Sequence, residues 1–381
     1  MSVKNSNPQK VREEIIKAMS GVNELTGGHK RNRDVFFKKT WSLLGDLGFP
    51  GFLMPEEYGG RDLSASEYAM AMETIAEFDP MAAYTINEHC SIGSLCIVKF
   101  GSEAQKKKYL PSLASGKIIG AFGLTEPDHG SDVTLISTKA EKDGDGYVLN
   151  GKKIHLSLAA NADLYTITTS VTVNEKAQGT MFILERNNKG LKNGLEDTSP
   201  AGYIIPGAGS IILEDCKVPS SALLGEIGGA AKIFRGVGEV GRIGISAAYV
   251  GSSQTAYERS VKWAKKRIQF GKPLASFQSI QFKLADMKTK VQAARLLVRN
   301  AAQMIDDGEE DEAIVEASAM AKSFTMDMAH EVGSEAVQIH GGYAYLEDPP
   351  VDWYMRDGKM GGIIGGTTEV MKILISRRIL K

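Results

Sequence analysis

Only three cysteines occur in 381 residues, and Cys90, Cys96 and Cys216 are too irregularly spaced for a disulfide framework or a Cys-x-x-Cys metal site. Their ordinary reading is reduced thiols in a cytoplasm. An excess of charge of one sign is also missing. Lys+Arg number 45 and Asp+Glu 46, so nothing in the balance points to nucleic acid or to an acidic membrane surface. No run approaches the ~18 apolar residues that a membrane span requires, and Met1 to Lys17 is polar, without the apolar centre of a signal peptide. The expectation is a cytoplasmic protein that binds no metal, nucleic acid or membrane. What the chain does have is length and 43% hydrophobic residues, enough for two or three packed domains around a large buried site.

Patterning divides the chain into three. From about residue 8 to 118 the periodicity is helical, and Ser64 with Glu67 and Ser102 with Gln105 read as capping-box starts. This predicts an all-α domain over 1–118. Between 119 and 225 short β-rich runs, Tyr147-Val148-Leu149, Leu164 to Thr168 and Met181 to Leu184, alternate with Gly, Asn and Asp turns. That predicts a middle β domain. From 226 to 381 helical periodicity returns, clearest in the stripe Leu284, Met287, Val291, Ala294, Leu297, Ala301 and Met304, which reads as bundle core. The fold class expected is α+β, in the order α, β, α.

Five blocks then carry a resemblance. Ala121-Phe122-Gly123-Leu124-Thr125-Glu126-Pro127-Asp128-His129-Gly130-Ser131-Asp132 resembles the first signature of the acyl-CoA dehydrogenases. Tyr147 to Lys153, Arg267 to Pro273 with Phe277-Gln278, Gln338 to Tyr343, and Tyr354 to Asp357 follow in that family's order and spacing. The resemblance covers almost the whole chain and implies the family's fold, with an N-terminal α domain, a middle β domain and a C-terminal four-helix bundle. It also implies FAD, an acyl-CoA or acyl-carrier thioester as substrate, a homotetramer built as a dimer of dimers, and an electron-transferring flavoprotein as a possible partner. By the same resemblance Phe122, Leu124, Thr125, Gly130, Ser131, His155 and Ser157 lie against the flavin. Hydroxyl and backbone donors there suit the ring edge and the thioester arm. In isolation the first block also reads as a polar β-turn. Arg267, Phe270, Gln278, Gln338, Gly341, Gly342 and Thr367 match flavin-nucleotide segments, where a guanidinium fork suits pyrophosphate. A solvated charge run and a helix C-cap are the alternatives for Arg267 and the glycine pair. Glu239 and Arg242, three apart on a helix, match the residues set against the pantetheine arm, or form an ordinary surface pair.

The chain departs from the family where the reaction needs a base. The usual glutamate corresponds to Gly365, and the seat a minority of members use corresponds to Gly241; neither glycine can accept a proton. Glu369 lies near in sequence but matches a residue that members carry in addition to the base. His155 stands where an indole is usual. Asn87-Glu88-His89-Cys90-Ser91 sets titratable groups on the helix that resembles the acyl-end wall, so Glu88 and His89 are the candidate catalytic residues, with Asp128 and His129 behind them. Mutual satisfaction of Glu88 and His89 is the alternative. The functions left open are an atypical FAD-dependent oxidoreductase acting on a cyclic or unsaturated acyl thioester, a non-redox lyase resembling the desulfinases, and a non-catalytic thioester-binding protein.

Overall fold

Ser64 and Ser102 begin their helices as their sequences require. Each side chain accepts a hydrogen bond from the N–H three residues on, while Glu67 and Gln105 reach back to the cap N–H. The computed structural model describes residues 7–26, 39–194, 207–346 and 351–381. Its first part holds α1 (Pro8–Thr26), α2 (Trp41–Asp46), α3 (Ala65–Phe78), α4 (Pro80–Asn87), α5 (Leu95–Phe100) and α6 (Glu103–Ala114). Between α4 and α5 the segment Glu88–Ser94 runs as a π-helix. Such widened turns are rare and recur at functional sites.

The middle part is an eight-stranded sheet of β1 (Gly120–Gly123), β2 (Lys139–Asp143), β3 (Gly146–Leu156), β4 (Leu164–Val173), β5 (Lys176–Glu185), β6 (Leu191–Gly194), β7 (Gly209–Pro219) and β8 (Leu223–Leu224). Its order is β6-β7-β3-β2-β4-β5-β8, with β1 parallel on β4 from Gly120↔Leu164 to Gly123↔Ile167. The pairing of β3 with β7 shifts register between Lys153 and Leu156, and His155 sits in that irregularity at φ +55°. The bulge aims the end of β3 away from the plain ladder.

The last part holds α7 (Ala230–Lys266), α8 (Gln278–Asp306), α9 (Asp311–His340), α10 (Asp352–Gly361) and α11 (Thr368–Ile379). Helix α9 packs against α7, α8, α10 and α11. The stripe expected on α8 faces inward: Met287, Val291, Ala294 and Ala301 are buried, and Leu284, Leu297 and Met304 pack at its margin. The order α, β, α is the one observed.

The two helical parts are tied directly. The Asp306 carboxylate at the end of α8 caps α3, accepting from Ala65 N at 2.7 Å and Ser66 N at 2.9 Å. Arg295 Nε donates to Glu73 Oε1 at 2.6 Å. On α7, Gly244 and Gly251 lie two turns apart where α3 and α4 approach. A Cβ at Gly251 would stand 2.1 Å from Glu73 O, and one at Gly244 2.7 Å from the Tyr68 ring. Only glycine permits this spacing. None of the described helices is long and apolar enough to cross a membrane.

Candidate functional site

The segment after β1 is pinned by a buried ion pair. Lys153 Nζ, on β3, donates to Glu126 Oε1 at 2.7 Å, to Thr168 Oγ1 at 2.9 Å and to Leu124 O at 3.1 Å. Glu126 also accepts from Ser137 N and Thr138 N, at 2.6 and 2.9 Å. Burial would raise the Glu126 carboxyl, but Lys153 and the donors at Thr138 and Ser137 outweigh it and bring it to about 2. Leu124 to Glu126 is therefore a fixed shelf. Beside it Thr125 and Ser131 make no side-chain hydrogen bond to a described residue, and a Cβ at Gly130 would meet nothing within 4 Å. Free donors and open space beside a rigid backbone fit a flavin edge. Asp128 and His129 form the turn, closed by Glu126 N to His129 O at 3.0 Å and the reciprocal bond at 3.2 Å.

Facing the shelf, Tyr84 on α4 and Ser157, just past β3, share a hydrogen bond of 2.9 Å between their hydroxyls. Glu88, one turn after Tyr84, has its carboxyl beside the polar groups of Ser157, Asn87 and Tyr84, which favour its ionised form. It keeps some exposed area, yet protein surrounds its carboxyl. Burial raises that carboxyl to about 7, with these neighbouring donors pulling against the rise. Tyr84 belongs to a small apolar cluster with Ile245, Tyr249, Met326 and Ala329, against which Ala208, Met360 and Ile364 pack. The helix that leads into Glu88 and the loop carrying Gly365 thus meet on one buried apolar cluster.

His89, the other candidate, is held elsewhere. Its Nδ1 accepts from Gly120 N at 3.1 Å, which leaves the proton on Nε2 to be donated to Leu113 O at 3.0 Å, and Trp41 packs edge-on against the ring. Burial lowers the imidazole to about 4. His89 is a neutral tie between α6 and β1, and it does not pair with Glu88. Cys90 and Ser91 are likewise spent on backbone carbonyls of Pro50 and Asn87.

The two glycines matched by resemblance to the base positions have different surroundings. A Cβ at Gly241 would stand 3.3 Å from Ser91 Oγ, so that position faces the π-helix. Gly365 has φ +59°, and its Cβ would touch Lys322 Cε at 3.5 Å. Glu369 is exposed in the first turn of α11, and Thr367 caps that helix by accepting from Val370 N at 3.3 Å. Glu239 and Arg242 form a nearly buried pair at 3.1 Å on α7.

Arg267, Phe270, Gln278, Gln338, Gly341 and Gly342 gather at the other end of α7. The Arg267 guanidinium lies 5.2 Å over the Tyr343 ring and makes no ion pair with a described residue. Phe270 is 92% exposed, and a Cβ at Gly341 or Gly342 would meet nothing within 4 Å. A guanidinium with no ion pair to a described residue, an exposed aromatic and two glycines with open space beside them suit a nucleotide. At 1.5 Å per residue Arg242 and Arg267 are about 37 Å apart along α7, so one chain does not bring both clusters together.

The sequence reading overlooked Tyr84, Lys153 and Lys322. The i,i+4 spacing of Tyr84 and Glu88 was an available signal; the bond to Ser157, 73 positions away, was not.

Comparison with known proteins adds a lineage. Profiles of the acyl-CoA dehydrogenase N-terminal, middle and C-terminal domains match residues 10–117, 121–216 and 232–380. An acyl-CoA dehydrogenase of Bacillus subtilis (strain 168) is 38% identical over 343 residues, 88% of each chain. A solved chain described under the electron-transferring flavoprotein of Acidaminococcus fermentans superposes with a TM-score of 0.89 at 37% identity, covering 98% of both chains. The butyryl-CoA dehydrogenase of Megasphaera elsdenii superposes equally well, at 36% identity, over 97% of this chain and 98% of its own.

Proposed function

The chain belongs to the acyl-CoA dehydrogenase family, and from that premise we propose that it oxidises or reduces an unsaturated or cyclic acyl-CoA with Glu88 as proton acceptor. That it is an FAD-dependent acyl-CoA oxidoreductase follows from the family. The observation that carries the finer reading is the Glu88 carboxyl, buried beside Tyr84 and Ser157, in a chain where the two positions matched to the ordinary bases are glycines.

A carboxylate tuned to about 7 is poised to take a proton near neutral pH. It is carried after α4 rather than on the Gly365 loop, and we read the carbon it serves as one farther along the chain than the α-carbon. An enoyl thioester answers this need, because conjugation makes its γ-hydrogen acidic. In the oxidative direction Glu88 takes the γ-proton, the neighbouring carbon gives up hydride, and a second double bond forms. Bound FAD would supply the hydride acceptor. Thr125 and Ser131 are the free donors for the ring edge, Ser157 lies beside it with its hydroxyl engaged by Tyr84, and Glu239 with Arg242 borders the carrier arm. Reduction is the same step reversed.

The separation of the two clusters supports a shared cofactor, in which the Arg267 cradle of one subunit closes over FAD held by the shelf of another. We read the assembly as a homotetramer with electron-transferring flavoprotein as its redox partner. Arg267→Ala removes a charge-assisted contact worth about 1.5–3 kcal/mol, so FAD retention through gel filtration is expected to weaken roughly ten- to hundredfold. Wild-type retention would remove Arg267 from the site.

The test of function is anaerobic mixing of the yellow protein with a panel of acyl-CoAs, following flavin bleaching and identifying products by mass spectrometry. Unsaturated or cyclic thioesters are expected to bleach the flavin, and straight saturated ones to do so poorly. Brisk turnover of butyryl- or octanoyl-CoA defeats the reading, and product formed without bleaching indicates elimination. Gly365→Glu is expected to raise activity on saturated chains, against a backbone cost of about 1–2 kcal/mol for a side chain at φ +59°.

A further inference from the structure

Lys322 is a fully buried cation that neither the flavin site nor the proton transfer uses. It lies on α9, and its Nζ donates to Gly361 O at 3.1 Å and Gly366 O at 2.8 Å. These two carbonyls bracket the loop that leaves α10 and enters α11. Between them stand Ile364, which packs on the pocket cluster, and Gly365, whose absent side chain would begin 3.5 Å from the lysine Cε. We propose that Lys322 is a positioning residue, a clasp that fixes the Gly361–Gly366 loop as one wall of the acyl pocket.

Three observations support this assignment. Burying an amine is costly, and here no described carboxylate stands within ion-pair distance to offset it. The lysine meets only carbonyls, and both lie on the loop. Its long stem is what allows one side chain on α9 to reach both ends of a neighbouring turn. Burial, and then repulsion from Arg242, lower the amine to about 7. The clasp survives loss of that proton, because a neutral amine still has two N–H bonds for two carbonyls. Gly365 and Gly366 stand at φ +59° and +91°, where glycine is free to rearrange, so this loop has little stiffness of its own. Rigidity has to come from the tie.

The inference concerns the wall of the pocket and holds whichever carbon Glu88 serves. Its test is Lys322→Met in the FAD-loaded enzyme. The expected result is normal FAD content and oligomeric state, at least a tenfold rise in KM for the acyl-CoA, and less than a threefold change in kcat. Native-state hydrogen exchange at the amides of 362–366 should quicken together with the rise in KM. Lys322→Arg, which keeps N–H donors, should recover part of the loss. A Met variant with wild-type KM and wild-type exchange overturns the proposal, as does one whose only change is a lower melting temperature. Should the Met variant fail to fold, the Arg variant decides by the same two readouts, and wild-type KM with unprotected loop amides then counts against the clasp.

Discussion

Glu88→Gln is expected to lower turnover of the native thioester by roughly 10²–10⁴-fold, the usual consequence of removing a positioned base, while leaving FAD content and thioester binding close to wild type. Glutamine keeps the volume and can still accept hydrogen bonds from Tyr84 and Ser157, so the pocket wall should hold its shape. The wild-type pH profile gives a second reading. The carboxyl is raised to about 7, so the ionised base accumulates as pH rises through that value and the oxidative rate should climb across it. Tyr84→Phe removes a donor that favours the ionised form, so its acid limb should move to higher pH. His89→Asn serves as the contrast. It should cost stability through the lost tie between Leu113 and Gly120 and leave the position of the acid limb unchanged. A Glu88→Gln enzyme that turns over normally would remove the carboxylate from the chemistry.

The contrast between Glu88 and His89 shows where sequence is legible and where it is not. The two are adjacent and both titratable, and the sequence favours Glu88 only slightly. Their separation depends on the π-helix, which directs one toward Ser157 and the other toward Leu113, and on partners tens of residues away. Local chemistry was readable wherever it was local: the caps at Ser64 and Ser102, the apolar stripe of α8, the β-rich runs between glycines. The expectation that Gly365 and Gly241 stand at the base positions rests on family resemblance alone. Lys322 was not, because a lone lysine in Ala319-Met320-Ala321-Lys322-Ser323 looks like a helix-surface residue until packing buries it. The wide separation of the Arg267 cluster from the flavin shelf follows from the 37-residue length of α7, which periodicity suggests but does not fix.

Lys153→Met should be the most damaging substitution for the fold itself. Glu126 would keep its two backbone donors but lose the one cation that pairs, among the described residues, with its nearly fully buried carboxylate. Removing one partner of such a pair costs about 3–5 kcal/mol, because a charge is left uncompensated in a medium that solvates it poorly. Losing Lys153 also leaves Leu124 O and Thr168 Oγ1 without its donation, so the shelf from Leu124 to Glu126 should loosen and FAD should be shed with it. The expected observation is a marked fall in melting temperature, larger than for Glu126→Gln/Lys153→Met together, since the double variant leaves no unpaired charge. The pH dependence has a definite sign. The folded Glu126 carboxyl is depressed to about 2, below its ordinary value near 4.5, so the pair's stabilisation is complete above the ordinary value and is lost as pH falls toward 2. Acid titration of wild type should show that loss, and the double variant should lack it. Equal melting temperatures for the single and double variants would mean that the pair shapes the shelf without stabilising it.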